Sequence, residues 1–344
     1  MKTTQEPLVS IVTPVYNGEA YLAKCVNGVI QQTYRNWEYI IVNNCSTDRS
    51  LEIANEFASA DSRVRVVNRD TYLDQIANIN YAVTLISPKA QYCKVAFADD
   101  LLFPACVEEM VKVAELDSDI ALVGCHVSNG ISVSAKAVPL GRNIISGKEA
   151  CRPYLLNGIS LFSSLNALLV RADVVRRRNP FHSYNDGFFE DADLCFDILK
   201  FGKFGFVHQI LAFNRRDNSG RLSEIETLAP FLVTDLLFLH RHGPHYLTAQ
   251  EFEKRWNEKA REYVRFLAKT ALLKREDAFW DFHHKGMAQM EFPFSKTRLA
   301  WNVFLILLDY ALNPKSSIEK AIARLPRMHR TNSLSRRVED GGVS

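Results

Sequence analysis

Short runs of β-branched residues alternate with segments of helical periodicity through the first hundred residues. The strand-like runs cover residues 8–15, 39–42, 64–67 and 92–97, and the helix-like segments cover residues 21–30, 51–57 and 76–85. Such alternation is typical of a parallel sheet covered by helices, which binds its ligands at the carboxyl ends of the strands. The pattern therefore predicts an α/β fold of the Rossmann-like type, with its chemistry in the loops that follow the strands.

Polar residues stand at those predicted strand ends. Residues 13–17 follow the first strand, residues 43–48 the second, and Asp70 the third, while Asp99 and Asp100 follow the fourth. Because parallel strands end at the same edge of a sheet, these side chains are expected to lie near one another.

The rest of the chain changes character twice. Residues 116–222 mix another strand, at 120–127, with a helix beginning near Glu190, and we interpret them as the second half of a domain that covers residues 1–222. Residues 223–331 have a helical pattern, and the polar segment 332–344 is predicted to be disordered. The longest apolar run, residues 299–312, is shorter than the roughly 20 residues of a bilayer span and predicts a buried or interfacial helix.

Charge and cysteine content narrow the class of protein. With 42 Lys and Arg against 39 Asp and Glu, the net charge of +3 is too small to predict nucleic acid as a partner. The seven cysteines are odd in number and include no Cys-x-x-Cys pair, which favours buried thiols over a zinc site or a disulfide framework. The first seven residues are polar and lack the features of a secretory signal, so the expected location is the cytoplasm.

Two acidic sites are candidates for catalysis. The adjacent Asp99 and Asp100 are suited to a hard divalent cation. The alternative role for one of them is the cap of a helix starting near Pro104, and two adjacent acids allow both roles. Glu190 and Asp191 follow two phenylalanines, whose apolar rings would favour a general base. The alternative for this second pair is favourable charge placement at a helix N-terminus.

Four short motifs occur in a fixed order: residues 9–17, residues 41–48, residues 97–100 with Pro104, and Glu190 with Asp191. In this order they resemble the motifs of family 2 glycosyltransferases with the GT-A fold. The resemblance covers about the first 220 residues. It implies an inverting transfer of a sugar from a nucleotide-diphosphate sugar to a saccharide acceptor.

The resemblance also implies roles for individual residues. Asp191 would be the catalytic base, with Glu190 orienting its loop, and Asp99 with Asp100 would bind Mg²⁺ or Mn²⁺. Asn43 or Asn44 would contact the base of the donor. The other donor-binding residues would be Thr13, Pro14, Tyr16, Asn78, Arg215, Arg216 and Arg221. The three arginines would meet the diphosphate, and a solvated basic loop is the alternative for them.

The chain departs from the family pattern at two places. Asn43 and Asn44 stand where the second motif usually has two acids, and Phe97 replaces the first acid of the metal motif. An amide can still bind a pyrimidine edge, because it offers both a donor and an acceptor. The segment Asn78-Ile-Asn80 resembles a variant common among bacterial surface-polysaccharide transferases, which implies an acceptor of the O-antigen, capsule or exopolysaccharide class, often lipid-linked.

Two other functions remain open. The departures at Phe97, Asn43 and Asn44 are compatible with a nucleotide-sugar-binding protein that has lost catalysis, although a mere binder has no use for Asp191. A sugar nucleotidyltransferase is less favoured, because it needs a glycine-rich phosphate loop and residues 13–18 contain one glycine.

Two C-terminal segments carry further hypotheses. Residues 240–245 contain three histidines, but the Gly243-Pro244 pair favours a surface turn over a metal cluster. Residues 316–330 have the pattern of a basic amphipathic helix, which either packs on the core or makes peripheral contact with the inner face of the cell membrane.

Overall fold

The computed structural model describes residues 6–135, 138–183, 190–215, 225–273 and 275–313, with only the backbone of Glu190. Its centre is one mixed sheet. The strands, in chain order, are β1 (Val9–Val15), β2 (Trp37–Asn43), β3 (Val64–Asn68), β4 (Tyr92–Val95), β5 (Leu101–Leu102), β6 (Ile120–Ser128), β7 (Val133–Ser134), β8 (Ile144–Ser146), β9 (Leu168–Arg171) and β10 (Lys203–Phe213). The four predicted N-terminal strands and the strand predicted at 120–127 are confirmed.

The strands lie in the order β3-β2-β1-β4-β9-β6-β10-β5, with β7 beside β6 and β8 beside β10. The first four of these neighbours run parallel, whereas β9 is antiparallel to both β4 and β6. The predicted α/β class is therefore confirmed. Antiparallel β9 marks the junction between the N-terminal half of the sheet and the half that contains β6 and β10.

The β-branched runs form strands because both sheet faces are covered by apolar side chains. In β1, the side chains of Val9, Ile11 and Val15 join one buried cluster, whereas Val12 joins the other on the opposite face. This two-residue period is what a pleated strand requires, and burial on both faces explains why the run is apolar without interruption.

Helices cover the sheet and continue beyond it. They are α1 (Leu22–Ile30), α2 (Ser50–Ala60), α3 (Gln75–Thr84), α4 (Cys106–Ala114), α5 (Gly147–Asn157), α6 (Ala172–Arg177), α7 (Glu190–Ile198), α8 (Phe231–Tyr246), α9 (Ala249–Ala271), α10 (Asp277–Gln289) and α11 (Lys296–Leu312). Six of the seven cysteines are buried, Cys45 is partly exposed, and all seven are free thiols, as the sequence predicts.

The compact unit that contains the sheet extends past the boundary predicted at residue 222. It comprises Met1–Ala260 and Glu276–Phe292, because α8 packs on α5 and α7, and α10 packs on α8. Arg261–Arg275 and Pro293–Ser344 form a second unit. Within the described residues, no helix combines the length and the apolarity needed to cross a bilayer.

The surface turn predicted at residues 240–245 is wrong. This segment is the last part of α8, and His242 is completely buried. Pro244 lies in the last turn, where it has no N–H to donate to the carbonyl four residues earlier, and the helix ends two residues later, at Tyr246. Gly243 allows a close approach to α9, since a Cβ there would lie 2.5 Å from the Phe252 ring.

The apolar run at 299–312 forms α11, as predicted, but it is not a buried helix. Of the residues in α11, Ile306 alone is buried.

Candidate active site

The loops at the carboxyl ends of the N-terminal strands enclose a cleft of about 580 Å³. Tyr16 follows β1, Asn44 follows β2, Asp99 follows β4, and Arg215 follows β10. The sequence places these residues up to about 200 positions apart, and the sheet brings them to one edge, as the position rule for parallel sheets predicts.

Hydrogen bonds fasten the first loop of the cleft to the second. The Asn17 backbone N–H donates to Ser46 Oγ at 3.0 Å, and the Asn17 side chain accepts from the Thr47 N–H at 2.8 Å. Next in the chain, the Gly18 N–H donates to Ser50 Oγ at 2.8 Å. Gly18 is needed here, because a Cβ would lie 2.7 Å from the Val15 side chain. The cleft therefore has a fixed rim rather than two independent loops.

An aromatic pair, Tyr16 and Tyr72, lines one side of the cleft. Their ring centroids lie 4.9 Å apart at an interplanar angle of 66°, and both rings are about half exposed. Asn44 holds the loop that carries Tyr72, since its side chain accepts from the Leu73 N–H and donates to the Leu73 carbonyl. Asn44 lines the cleft, but both ends of its amide are already engaged. The sequence analysis did not predict Tyr72, because it lies in a loop that carries no recognisable motif.

Two of the residues predicted to contact the donor lie beneath the cleft instead. Thr13 is completely buried, and its hydroxyl bonds to the Ala96 carbonyl and to Tyr39 Oη. Asn43 is 1% exposed and donates to Asn68 Oδ1 at 2.7 Å. Neither side chain lines the cleft, so their contact with the donor stays a prediction. Asn43 Oδ1 is buried and has no hydrogen-bond partner among the described residues.

Asn78, by contrast, is a buried residue that does line the cleft. It is 4% exposed and lines the cleft, yet its Oδ1 has no hydrogen-bond partner in the described part of the chain. A buried polar atom without a partner costs free energy. Asn78 Oδ1 is therefore an acceptor that is available to a group bound in the cleft.

Asp99, Asp100 and Arg215 form the polar wall of the cleft. The Arg215 N–H donates to Asp100 Oδ1 at 2.9 Å, its Nε donates to the Asp99 carbonyl at 3.1 Å, and its guanidinium lies 4.0 Å from the Tyr21 ring centroid. Burial raises the pKa of Asp100 to about 7, and the neighbouring charges of Asp99 and Asp191 add to the increase. The helix-cap alternative for the two acids is wrong, because α4 starts beyond β5 and its N-cap is Ala105.

The second acidic site lies at the start of α7. Asp191 is about one-third exposed, and its Oδ2 accepts from the Leu165 N–H at 2.9 Å. His182 Nε2 lies 3.0 Å from Asp191 Oδ1, and the His182 side chain is 1% exposed. Asn80 holds the His182 backbone, accepting from its N–H at 2.6 Å and donating to its carbonyl at 2.9 Å. Asp191 is thus an oriented carboxylate with an exposed side.

The next acid of α7 has a different environment. The Asp193 side chain is 5% exposed, and Arg241 Nη1 lies 2.9 Å from its Oδ2 while His242 Nε2 lies 2.8 Å from its Oδ1. Burial raises the pKa of Asp193, but the His242 hydrogen bond and the Arg241 charge outweigh burial and leave the pKa below its usual value. Asp193 is therefore a structural acid that ties α7 to α8.

Three predicted site groups lie outside the described residues: the Glu190 side chain, Arg216 and Arg221.

Residues 10–174 match the sequence profile of glycosyl transferase family 2. This region is a family 2 glycosyltransferase domain. The match covers three of the four motifs that carry the resemblance in the sequence, and it ends just before the segment with Asp191. The prediction of family from these motifs is confirmed.

Several curated relatives of this domain are named as glycosyltransferases. An uncharacterized glycosyltransferase of Haemophilus influenzae is 28% identical over 202 residues, which are 57% of this chain and 61% of that protein. The putative teichuronic acid biosynthesis glycosyltransferase TuaG of Bacillus subtilis is 37% identical over 97 residues, which are 28% of this chain and 37% of TuaG. The chain thus spans less than two thirds of the length of either relative.

Solved structures share the fold of the family 2 domain over most of the chain. Staphylococcus aureus TarS 1–349 in complex with UDP-GlcNAc has a TM-score of 0.59 at 13% identity, covering 89% of this chain and 92% of that one. The mannosyltransferase PcManGT from Pyrobaculum calidifontis, in complex with GDP-Man and Mn²⁺, has a TM-score of 0.51 at 14% identity, covering 90% and 87%. At these identities the likeness shows the fold, and it confirms the predicted GT-A architecture.

Asp99 and Asp100 fit a divalent cation whose remaining coordination positions are filled by substrate. The described residues contain no cluster of three or more His, Cys, Asp or Glu side chains that could hold a metal. Mg²⁺ is commonly bound by one or two carboxylates together with substrate phosphates and water. Asp99 matches that requirement, because its exposed carboxylate lines the cleft and makes no hydrogen bond or ion pair within the described ranges.

Proposed function

We propose that this chain is an inverting glycosyltransferase that moves a sugar from a nucleotide-diphosphate sugar to a hydroxyl of a saccharide acceptor. One observation carries the proposal: a cleft in a family 2 domain joins an aromatic pair, an exposed carboxylate at Asp99 and an arginine. The oriented carboxylate of Asp191 stands outside the described lining of that cleft and is proposed to face the acceptor. These are the groups that a nucleotide, a diphosphate and an attacking hydroxyl need.

The donor fits the cleft by chemistry. Tyr16 and Tyr72 offer exposed ring surface for a base, and Arg215 offers a guanidinium for the diphosphate. Pro14 lines the same wall, next to Tyr16. The names of two structures with this fold support a nucleotide-sugar donor, since one contains UDP-GlcNAc and the other GDP-Man.

Asp99 is proposed to hold Mg²⁺ or Mn²⁺, with Asp100 beside it. The cation supplies positive charge that stabilises the departing diphosphate. Phe97 stands where a second carboxylate is expected, and its ring lines the cleft. A site with one exposed carboxylate is expected to bind the metal weakly without nucleotide and more strongly with it.

Asp191 is proposed to take the proton from the acceptor hydroxyl. The hydroxyl oxygen forms the new bond to the anomeric carbon, the bond from that carbon to the diphosphate breaks, and the nucleoside diphosphate leaves with the electron pair. His182 and the Leu165 N–H hold the two carboxylate oxygens and so orient the base. In-line attack from the side opposite the leaving group inverts the anomeric centre.

The acceptor class comes from relatives rather than from geometry. TuaG is named for teichuronic acid biosynthesis, and EpsJ of Bacillus subtilis is a further named glycosyltransferase that is 32% identical over 120 residues. We propose a surface polysaccharide as the product, with a lipid-linked saccharide as the acceptor.

The function is tested by calorimetric titration with UDP, GDP, dTDP and CDP, each with and without Mn²⁺. We expect one nucleotide to bind selectively and Mn²⁺ to strengthen its binding. Asp99→Asn should lower the affinity measured with Mn²⁺ by about tenfold or more, since it removes the carboxylate proposed for the metal.

The control is Asp281→Asn, which changes an exposed acid in α10, outside the cleft. It should behave like the parent protein. Failure of every nucleotide to bind would contradict the proposed function. Metal-enhanced binding without turnover on any saccharide would favour a nucleotide-sugar-binding protein that has lost catalysis.

Asn78 provides a second test of the donor site. Asn78→Ala is expected to weaken nucleotide-sugar binding by about tenfold, the loss of one buried hydrogen bond. The unfolding temperature of the free protein should not fall, because the variant removes an acceptor that has no described partner.

The matched variant is Asn80→Ala, two residues along the same helix. It should retain donor affinity and lose turnover, because Asn80 contacts the His182 backbone rather than lining the cleft. Unchanged donor affinity together with a destabilised Asn78→Ala protein would assign Asn78 to the core instead.

A further inference from the structure

The helix α11 exposes an unusually apolar side. Trp301, Phe304, Leu305, Leu308 and Leu312 are 59%, 50%, 43%, 39% and 70% exposed. Their spacing of three, four, seven and eleven residues from Trp301 places all five on one face of the helix. We call this face the α11 stripe.

The stripe is not the face with which α11 packs. Ile306 is the buried residue of the helix, and Leu299 and Val303, which are half-buried, lie on the same side as Ile306, opposite the stripe. Burial on that side is partial, since Leu307 and Tyr310 beside Ile306 are 49% and 43% exposed, and the stripe has no buried residue. Contiguous exposed apolar surface of this kind marks an interaction site.

The charge distribution indicates what covers the stripe. Residues 293–344 contain nine Lys or Arg and four Asp or Glu, whereas residues 1–292 contain 33 and 35. The positive charge of the whole chain thus resides in the segment that contains the stripe and follows it. Such a segment is attracted to an anionic surface, and two copies of it repel each other.

The N-terminal turn of α11 is also positively charged. Lys296 and Arg298 stand in its first turn, and no acidic residue does. Cations at a helix N-terminus oppose the helix dipole. Their position is unfavourable for the helix alone and favourable beside an anionic surface.

We propose that the α11 stripe docks on an anionic phospholipid bilayer, with its Trp, Phe and Leu side chains in the headgroup region. Tryptophan, tyrosine and basic residues are the groups that anchor helices lying in that region. Docking of the stripe is separate from the transfer reaction and requires neither Asp99 nor Asp191. Docking there would place the chain at the surface that the proposed lipid-linked acceptor would occupy.

The test is co-sedimentation of the full chain with vesicles of phosphatidylglycerol and with vesicles of phosphatidylcholine. We expect binding to phosphatidylglycerol that weakens as salt is raised, and little binding to phosphatidylcholine. The double variant Trp301→Glu/Leu308→Glu should lose about tenfold or more of the vesicle affinity.

The control, Ile131→Glu/Leu140→Glu, adds the same charge at two apolar side chains that are 87% and 86% exposed elsewhere, and it should bind vesicles like the parent protein. Both variants should retain nucleotide binding, which separates this result from a failure of the proposed function. Absence of binding to phosphatidylglycerol, or equal losses in both variants, overturns the proposal. The proposal is also overturned if the parent protein self-associates and does not bind vesicles, while the α11 variant is monomeric.

Discussion

Asp191→Asn is expected to lower kcat by about 10²–10⁴-fold and to leave donor affinity unchanged within about twofold. The carboxylate is the proposed acceptor of the proton, and an amide cannot take that role. Asparagine keeps the size of the side chain, and its oxygen can still accept from the Leu165 N–H, which Asp191 Oδ2 does at 2.9 Å. The variant thus removes the base and retains one of the two contacts that orient the side chain, the hydrogen bond from the Leu165 N–H.

The measurement pairs transfer rates at saturating donor with calorimetric binding of the nucleotide. The unfolding temperature should match that of the parent protein, since Asp191 is about one-third exposed and no oppositely charged Lys or Arg lies within ion-pair distance in the described structure. An unchanged kcat would refute the role of Asp191. A joint loss of kcat, donor affinity and stability would show that the side chain is structural.

Local periodicity was sufficient to predict the first four strands and the edge of the sheet at which the site lies. It was not sufficient to predict which side chains reach the cleft. In β1, Thr13 points into the core while Pro14, its neighbour, lines the cleft. Likewise Asn43 ends β2 inside the sheet and Asn44 lines the cleft. A motif predicts which loop lies at the site, whereas the alternation of side chains along the strand determines which residues reach the cleft.

Residues whose partners lie far away in the sequence could not be predicted for a different reason. His182 is held by Asn80, about a hundred positions earlier, and Asp193 is held by Arg241 and His242, about fifty positions later. No local pattern connects such pairs. The same long-range contact explains the wrong turn at 240–245, because the burial of His242 against Asp193 overrides the turn propensity of Gly-Pro.

Asp193→Asn is expected to have the opposite effect to Asp191→Asn: a loss of about 2–4 kcal/mol in the free energy of unfolding. Removing one partner of a buried ion pair leaves the other charge uncompensated and typically costs about 3–5 kcal/mol. The expected value is lower here because Arg241 is 40% exposed and can be solvated in part. Urea denaturation at neutral pH measures the loss, and Asp191→Asn, two residues earlier in α7, is the matched control.

The pH dependence of the free energy of unfolding provides a second test of the role of Asp193. The folded state holds the pKa of Asp193 below its unfolded value, which is about 3.9. The stabilisation is therefore complete above about pH 4 and is lost as the pH falls through the folded pKa. The stability difference between the parent protein and Asp193→Asn should be constant near neutrality and shrink at lower pH. A difference that stays constant down to acid unfolding would mean that the carboxylate charge is not what joins α7 to α8, and that packing around His242 does so instead.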